Sequence, residues 1–194
     1  MSAGYQITEQ NALHFLTFTI VDWVDLFTRK VYRDIVVDTL NFYINSRDLQ
    51  VYGYVIMSNH VHALLYQPDG KLSDTIRDFK KYTARKIIEA VKAEPESRRE
   101  WILHRFSWNA SLRNNVDHYQ VWTHEHHAVE IRSKKFFDQK LNYIHANPVR
   151  AGWVREPEEW IYSSAADLCN SMPLLAIRRW DEDDTIRRLE TTRA

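Results

Sequence analysis

Gln50-Val-Tyr-Gly-Tyr-Val-Ile-Met57 and His60-Val-His-Ala-Leu-Leu-Tyr66 are two runs rich in aromatic and β-branched residues, parted only by Ser58-Asn59. Both read as β-strands, and so short a link makes them an antiparallel pair, although Ser-Asn is not a strong hairpin dipeptide. Upstream, Leu13 to Val21 (Leu-His-Phe-Leu-Thr-Phe-Thr-Ile-Val) reads as another strand. Between about Asp25 and Asn45, Val31, Ile35, Val36, Leu40, Phe42, Tyr43 and Ile44 recur at mostly helical spacing. Downstream, Pro68-Asp-Gly marks a turn and Leu72 to about Glu94 a long helix. Ser73 is its candidate cap, and Ile76, Phe79, Thr83, Ile87, Ala90 and Val91 form its apolar stripe. A polar loop over Pro95–Glu100, a fourth strand over Tyr119–His124 and a helix from Ser133 to about Ala146, closed by Pro148 and Gly152, complete the pattern. The order strand, helix, strand, strand, helix, strand predicts an α+β fold, the ferredoxin-like split βαβ, with one antiparallel sheet and helices packed on it.

The chain has 194 residues, 44% apolar and 27% charged, which suits a packed domain and excludes a disordered one. Cys169 is the only cysteine, so an internal disulfide framework and a cysteine-based zinc finger are both excluded. The first residues carry neither a basic segment nor an apolar core of a signal peptide, and no stretch of about 18 apolar residues occurs. The expectation is a cytoplasmic protein without a membrane span. Net charge is zero, but Lys71 to Arg155 holds 17 basic against 10 acidic residues, and the rest is correspondingly acidic, notably at Asp181-Glu-Asp-Asp184. A basic middle with Trp101, Trp108 and Trp122 interspersed is the composition of a polyanion surface with stacking platforms, or of an ordinary solvated face.

His60 and His62 are two apart on one strand, so both imidazoles project from the same sheet face while Val61, Ala63 and Leu65 point the other way. Paired neutral imidazoles on a rigid strand suit a divalent metal, but the same spacing describes two surface histidines. In Lys140-Leu-Asn-Tyr143-Ile-His-Ala-Asn147-Pro148, the residues Tyr143 and Asn147 stack one turn apart on a flank of the Phe137, Leu141, Ile144 stripe. A phenol can attack a phosphodiester once its proton is removed, and an amide oxygen can serve as a neutral hard ligand beside two imidazoles. The pair is also what a helix ending with a packing tyrosine looks like.

Taken together and in order, Met57-Ser-Asn-His-Val-His-Ala-Leu-Leu65 and Tyr143-Ile-His-Ala-Asn-Pro-Val-Arg-Ala-Gly-Trp-Val154 resemble the single-tyrosine HUH transposases (insertion-sequence-200-like), most like the branch of REP-associated tyrosine transposases. The His-hydrophobic-His strand matches at His60, Val61 and His62, and the nucleophile motif at Tyr143 and Asn147. The stretch Asn147 to Gly152 and the later Trp160-Ile-Tyr-Ser-Ser164 are typical of that branch. The resemblance runs from about Leu13 to Leu168, which sets a catalytic domain at 1–168 and a partly irregular or disordered tail at 169–194. It implies a ferredoxin-like or RRM-like sandwich that cleaves and rejoins single-stranded DNA at hairpin-associated sites. It also implies Mg²⁺ or Mn²⁺ on His60, His62 and Asn147, a 5′-phosphotyrosine at Tyr143, and either a monomer or a homodimer.

Lys80, Lys81, Arg85 and Lys86, clustered on the long helix, are expected to contact DNA phosphates, as is Arg150 within the branch-typical stretch. Tyr82 is the rival nucleophile, but Lys86 stands where an amide or acid would be needed at the fourth residue on. His124, His126 and His127 form a second possible ligand set. Two other functions compete: a non-catalytic RRM-like nucleic-acid-binding protein, and a metal-dependent phosphodiesterase that uses water.

Overall fold

The computed structural model describes residues 7–68, 70–112, 118–124 and 127–180. Strand β1 (His14–Thr19) leads through two short 3-10 turns into α1 (Lys30–Arg47), then β2 (Gln50–Ile56) and β3 (His60–Tyr66). Helices α2 (Leu72–Ala93) and α3 (Arg99–Ser111) follow, then β4 (Val129–Glu130), α4 (Lys134–Arg150) and the short α5 (Ser164–Cys169). The sheet order is β2-β3-β1-β4 and every pairing is antiparallel, as a split βαβ requires. No helix among the described residues is long and apolar enough to cross a membrane.

Strand alternation sorts the core into two layers. Leu16, Phe18, Val61, Ala63 and Leu65 face α1 and α2, where Val36, Leu40, Ile76, Phe79 and Ile87 meet them. Leu13, Phe15, Val55 and Leu64 face the opposite way, against Phe137 and Ile144 of α4. The histidines of β3 therefore look toward α4, while Val61, Ala63 and Leu65 enter the α1/α2 layer as the alternation predicts. The sheet is covered on both faces rather than one.

Gly53 explains how α4 comes so near. A bulge between Val51 and Gly53 interrupts the β2 ladder, and a Cβ at Gly53 would lie 2.6 Å from Leu141 Cδ1. Gly53→Val should therefore lever α4 off β2, costing about 1–3 kcal/mol of stability. Thermal unfolding checks it, with Val51→Ile, two residues away on the α1/α2 side, as the packing control.

Four sequence expectations are corrected. The fourth strand lies at Val129–Glu130, pairing with His14 and Phe15; Tyr119–His124 makes only a bridge between Trp122 and Ile20. That segment runs along the other end of β1, because Trp122 buries itself under α2 and donates its indole N–H to Thr83 Oγ1 at 2.9 Å. His127, in the left-handed region (φ 34°), separates the two stretches. Helix α3, partly assigned to a loop and otherwise unread, buries only Ile102, Phe106 and Ala110, too thin a stripe to stand out. Ser73 does not cap α2: Gln10 does so from a distance, accepting from Ser73 N–H at 3.0 Å. Finally, α4 continues through Pro148 to Arg150. It closes in a Schellman motif, with Gly152 N–H on Val149 O and Trp153 N–H on Pro148 O, both at 2.9–3.0 Å. Gly152 takes the left-handed position this demands (φ 73°).

Beyond Leu168 the chain stays on the body as far as Trp180. Ile177 bridges Val51, and Trp180 is buried against Phe137 at 4.9 Å between ring centroids. The acidic run at 181–184 lies outside the described residues.

Candidate functional site

The strand period and the α4 approach bring four rings together. His60 and His62 lie 4.7 Å apart between centroids, and Tyr143 lies 5.2 Å from His62. Phe15, the neighbour on β1, stacks on His62 at 5.3 Å and meets Tyr143 edge-on at 6.0 Å. Arg150, at the end of α4, sets its guanidinium carbon 5.6 Å from the Tyr143 ring centre. Tyr143 keeps 37% of its surface exposed, so its phenol is accessible.

Hydrogen bonds orient both imidazoles, and burial keeps them neutral. Asn59 donates through Nδ2 to Trp23 O at 3.3 Å and to Asp25 Oδ1 at 3.2 Å. Its amide oxygen therefore faces His60 Nδ1, 2.7 Å away, and must accept the ring proton. His60 Nε2 is left with its lone pair. At His62, Nδ1 pairs with Thr17 Oγ1 at 2.9 Å, across the β1–β3 register. His62 Nε2 is buried with no hydrogen-bond partner among the described residues. Burial lowers the pKa of both, His62 to about 3, with the charges of His60 and Lys140 adding to the fall.

A buried imidazole nitrogen without a partner, beside a second ring whose lone pair is free, is the donor set a divalent ion takes. No three of His, Cys, Asp and Glu converge on such a site among the described residues. A third protein ligand here would have to be a neutral oxygen, from an amide, a hydroxyl or the backbone. Asn147, one turn beyond Tyr143, donates its Nδ2 to Tyr143 O at 2.7 Å, leaving its oxygen as the other end.

The remaining expected residues fall elsewhere. Lys80, Lys81, Arg85 and Lys86 ride on α2, across the sheet from the histidines. The Lys80 ammonium donates to Thr123 O and His124 O at 2.7 and 3.2 Å, and burial lowers its pKa to about 8. It ties the 119–124 segment down. Arg85 and Lys86 pair with Glu89 and flank the ring of Tyr82, so this rival tyrosine sits far from the paired histidines. Trp122 is core, whereas Trp101 and Trp108 are exposed on α3. His124 and His127 are exposed, and His126 lies outside the described residues.

Thr17 and Asn59 went unassigned in the sequence. Thr17 sits on a recognisable strand, but only the register reveals its partner; Asn59, beside His60, was legible only as part of a turn.

Helix α4 is anchored next to the nucleophile candidate. His145 Nε2 lies 2.8 Å from Ser164 Oγ, which also accepts from Tyr54 N–H of β2 at 3.0 Å. Burial lowers the His145 pKa from 6.5 to about 4. An unfolded chain thus takes up a proton near pH 6.5 that the native state accepts only near pH 4, and stability falls as pH drops through that window. His145→Asn should remove roughly 2 kcal/mol of this acid sensitivity. Urea unfolding at pH 7 and pH 4.5 measures it; an equal loss in both proteins counts against it.

The family described as "Transposase IS200 like" matches residues 13–147, which contain both histidines, Tyr143 and Asn147. The chain is 24% identical over 121 residues to a REP-associated tyrosine transposase of Escherichia coli (strain K12). That match covers 61% of this chain and 56% of the relative, so it spans little more than half of that protein. In fold it is similar to the structure of a REP-associated tyrosine transposase bound to a REP hairpin. There the TM-score is 0.58 at 18% identity, with 92% of this chain and 93% of that one covered. With more than half of its length matched, including the strand and the helix that form the site, the chain belongs to the IS200-like transposase family.

Proposed function

We propose that the protein is a transposase that cleaves and rejoins single-stranded DNA at hairpin-associated sites, with Tyr143 as nucleophile. The observation that carries this reading is the exposed Tyr143 ring 5.2 Å from a buried, neutral His62 whose Nε2 has no hydrogen-bond partner among the described residues. In the reaction, the Tyr143 phenol oxygen bonds to phosphorus as the phenol loses its proton. The bond from phosphorus to the 3′-oxygen breaks, leaving a 5′-phosphotyrosine and a 3′-hydroxyl that takes up a proton. One phosphodiester replaces another, so rejoining is the same step reversed and no nucleotide triphosphate is consumed.

His60, His62 and the Asn147 oxygen would hold Mg²⁺ or Mn²⁺, which when bound supplies Lewis-acid polarisation of the scissile phosphate. Asn59 and Thr17 occupy the two Nδ1 atoms, which leaves Nε2 of each ring as the donor. Arg150 places positive charge beside the ring that gains negative charge, and Lys140, 4.6 Å above Phe15, adds to it on the same face. Arg150 and Lys140 thus offer phosphate contacts from α4 beside the paired histidines, whereas any contacts from α2 would be made across the sheet from them.

Incubation of the protein with Mn²⁺ and a library of hairpins carrying randomised single-stranded flanks tests the reading. Strands that stay attached through denaturation should share one flank motif and carry free 3′-hydroxyl counterparts. Cleaved strands with no attached protein would favour hydrolysis by water instead.

A further inference from the structure

Asp22 and Trp23, in the first 3-10 turn after β1, both adopt the left-handed backbone conformation at φ 55°. Neither is glycine, and for a ring as bulky as tryptophan this is an outlier that the surroundings must impose. They do so from three sides. The Asp22 carboxylate lies 3.2 Å from Arg105 Nε and accepts from Asn109 Nδ2 at 2.9 Å, both on α3. Val21 N–H donates to Val121 O at 2.9 Å. The Trp23 carbonyl accepts from Asn59, the same side chain that fixes the His60 tautomer.

This strain wins no burial, since Trp23 leaves 64% of its surface in water. What it achieves is position: the indole stands 6.1 Å from the His60 ring, nearly perpendicular to it at 74°. Trp23, His60, His62 and Tyr143 consequently form one row of rings, each within 6.1 Å of the next. An exposed indole at the end of a row that handles a phosphodiester is placed to take the base of a neighbouring nucleotide, because every base offers a face to stack.

We propose that Trp23 is a stacking platform for an unpaired nucleobase flanking the scissile phosphate, rigidly registered to His60 through Asn59. This rests on the single-stranded-DNA reading above. The platform recognises a base by its face, so it is tolerant of sequence and holds the strand out of duplex form beside the cleavage centre.

The test uses the full chain and two fluorescein-labelled strands of about 20 nucleotides, oligo-dT and an abasic strand of the same length, at low salt without metal. Trp23→Ala should weaken oligo-dT binding roughly ten- to hundredfold while changing the abasic strand less than about twofold. Trp23→Phe, which keeps a ring, should stay within about fivefold of the wild type. Trp23→Gly relieves the backbone strain, so its melting temperature should rise while oligo-dT affinity falls as in the alanine variant. Unchanged oligo-dT affinity in Trp23→Ala overturns the platform and leaves the transposase reading standing. Failure of the wild type to bind oligo-dT also overturns the platform, while failure of covalent capture on the hairpin library overturns the transposase reading itself.

Discussion

Tyr143→Phe is expected to abolish covalent capture of DNA while leaving binding within about twofold. The substitution deletes one oxygen, and the ring keeps its contacts with His62 at 5.2 Å and Phe15 at 6.0 Å. Asn147, one turn on, holds the Tyr143 backbone carbonyl and not the phenol, so under the proposed chemistry the substitution removes the attacking atom without disturbing the frame. Residual adduct should be below one part in about 10⁴, as when a covalent catalyst loses its nucleophile. Denaturing gels of wild type, Tyr143→Phe and Tyr82→Phe with the same labelled strand report the outcome. Equal adduct in Tyr143→Phe and none in Tyr82→Phe would transfer the role to α2.

His62→Ala should have the next largest effect. It removes the buried nitrogen that has no hydrogen-bond partner among the described residues, and, if that nitrogen holds the proposed ion, several kcal/mol of charge stabilisation at the phosphate, which corresponds to roughly 10²–10³ in rate. Thr17→Val keeps the proposed ligand but frees its Nδ1, and should cost about 10- to 100-fold. Mn²⁺ titration followed by electron paramagnetic resonance separates the two. His62→Ala should lose the bound-ion signal, and Thr17→Val should keep it with a higher dissociation constant. An unaltered bound-ion signal in His62→Ala contradicts the assignment.

The parts of the fold legible in the sequence were those with a strong local period. Strands β1 to β3 and the stripes of α2 and α4 follow from alternation and from spacings such as Ile76, Phe79, Thr83 and Ile87. Helix α3 escaped because three buried residues make too thin a stripe, and β4 because two residues carry no period at all. Pro148 was read as a stop, yet it is accommodated in the last turn of α4, where the Schellman motif takes over the closing bonds.

For the site, His60, His62, Tyr143 and Asn147 were readable as two local motifs, since strand and helix periods fix which side chains share a face. That Tyr143 meets the histidines depends on α4 lying over the sheet, which Gly53 permits and no local pattern states. The basic cluster on α2 shows the converse. Lys80, Lys81, Arg85 and Lys86 form a conspicuous run in sequence, but helix placement puts them on the far side of the sheet, and Lys80 is committed to two carbonyls. The positions of Trp23 and Thr17 beside the histidines were not legible in the sequence, because a backbone conformation and a strand register set them.

Peptide mapping of the protein after reaction with a single-stranded substrate tests the central claim most directly. Protein is incubated with Mn²⁺ and the captured hairpin strand, digested with nuclease and protease, and the modified peptide is sequenced by mass spectrometry. A nucleotide joined through its 5′-phosphate to Tyr143, in the peptide that ends at Arg150, is the predicted result. A nucleotide on any other residue, or cleaved DNA with unmodified Tyr143 throughout, would contradict the account.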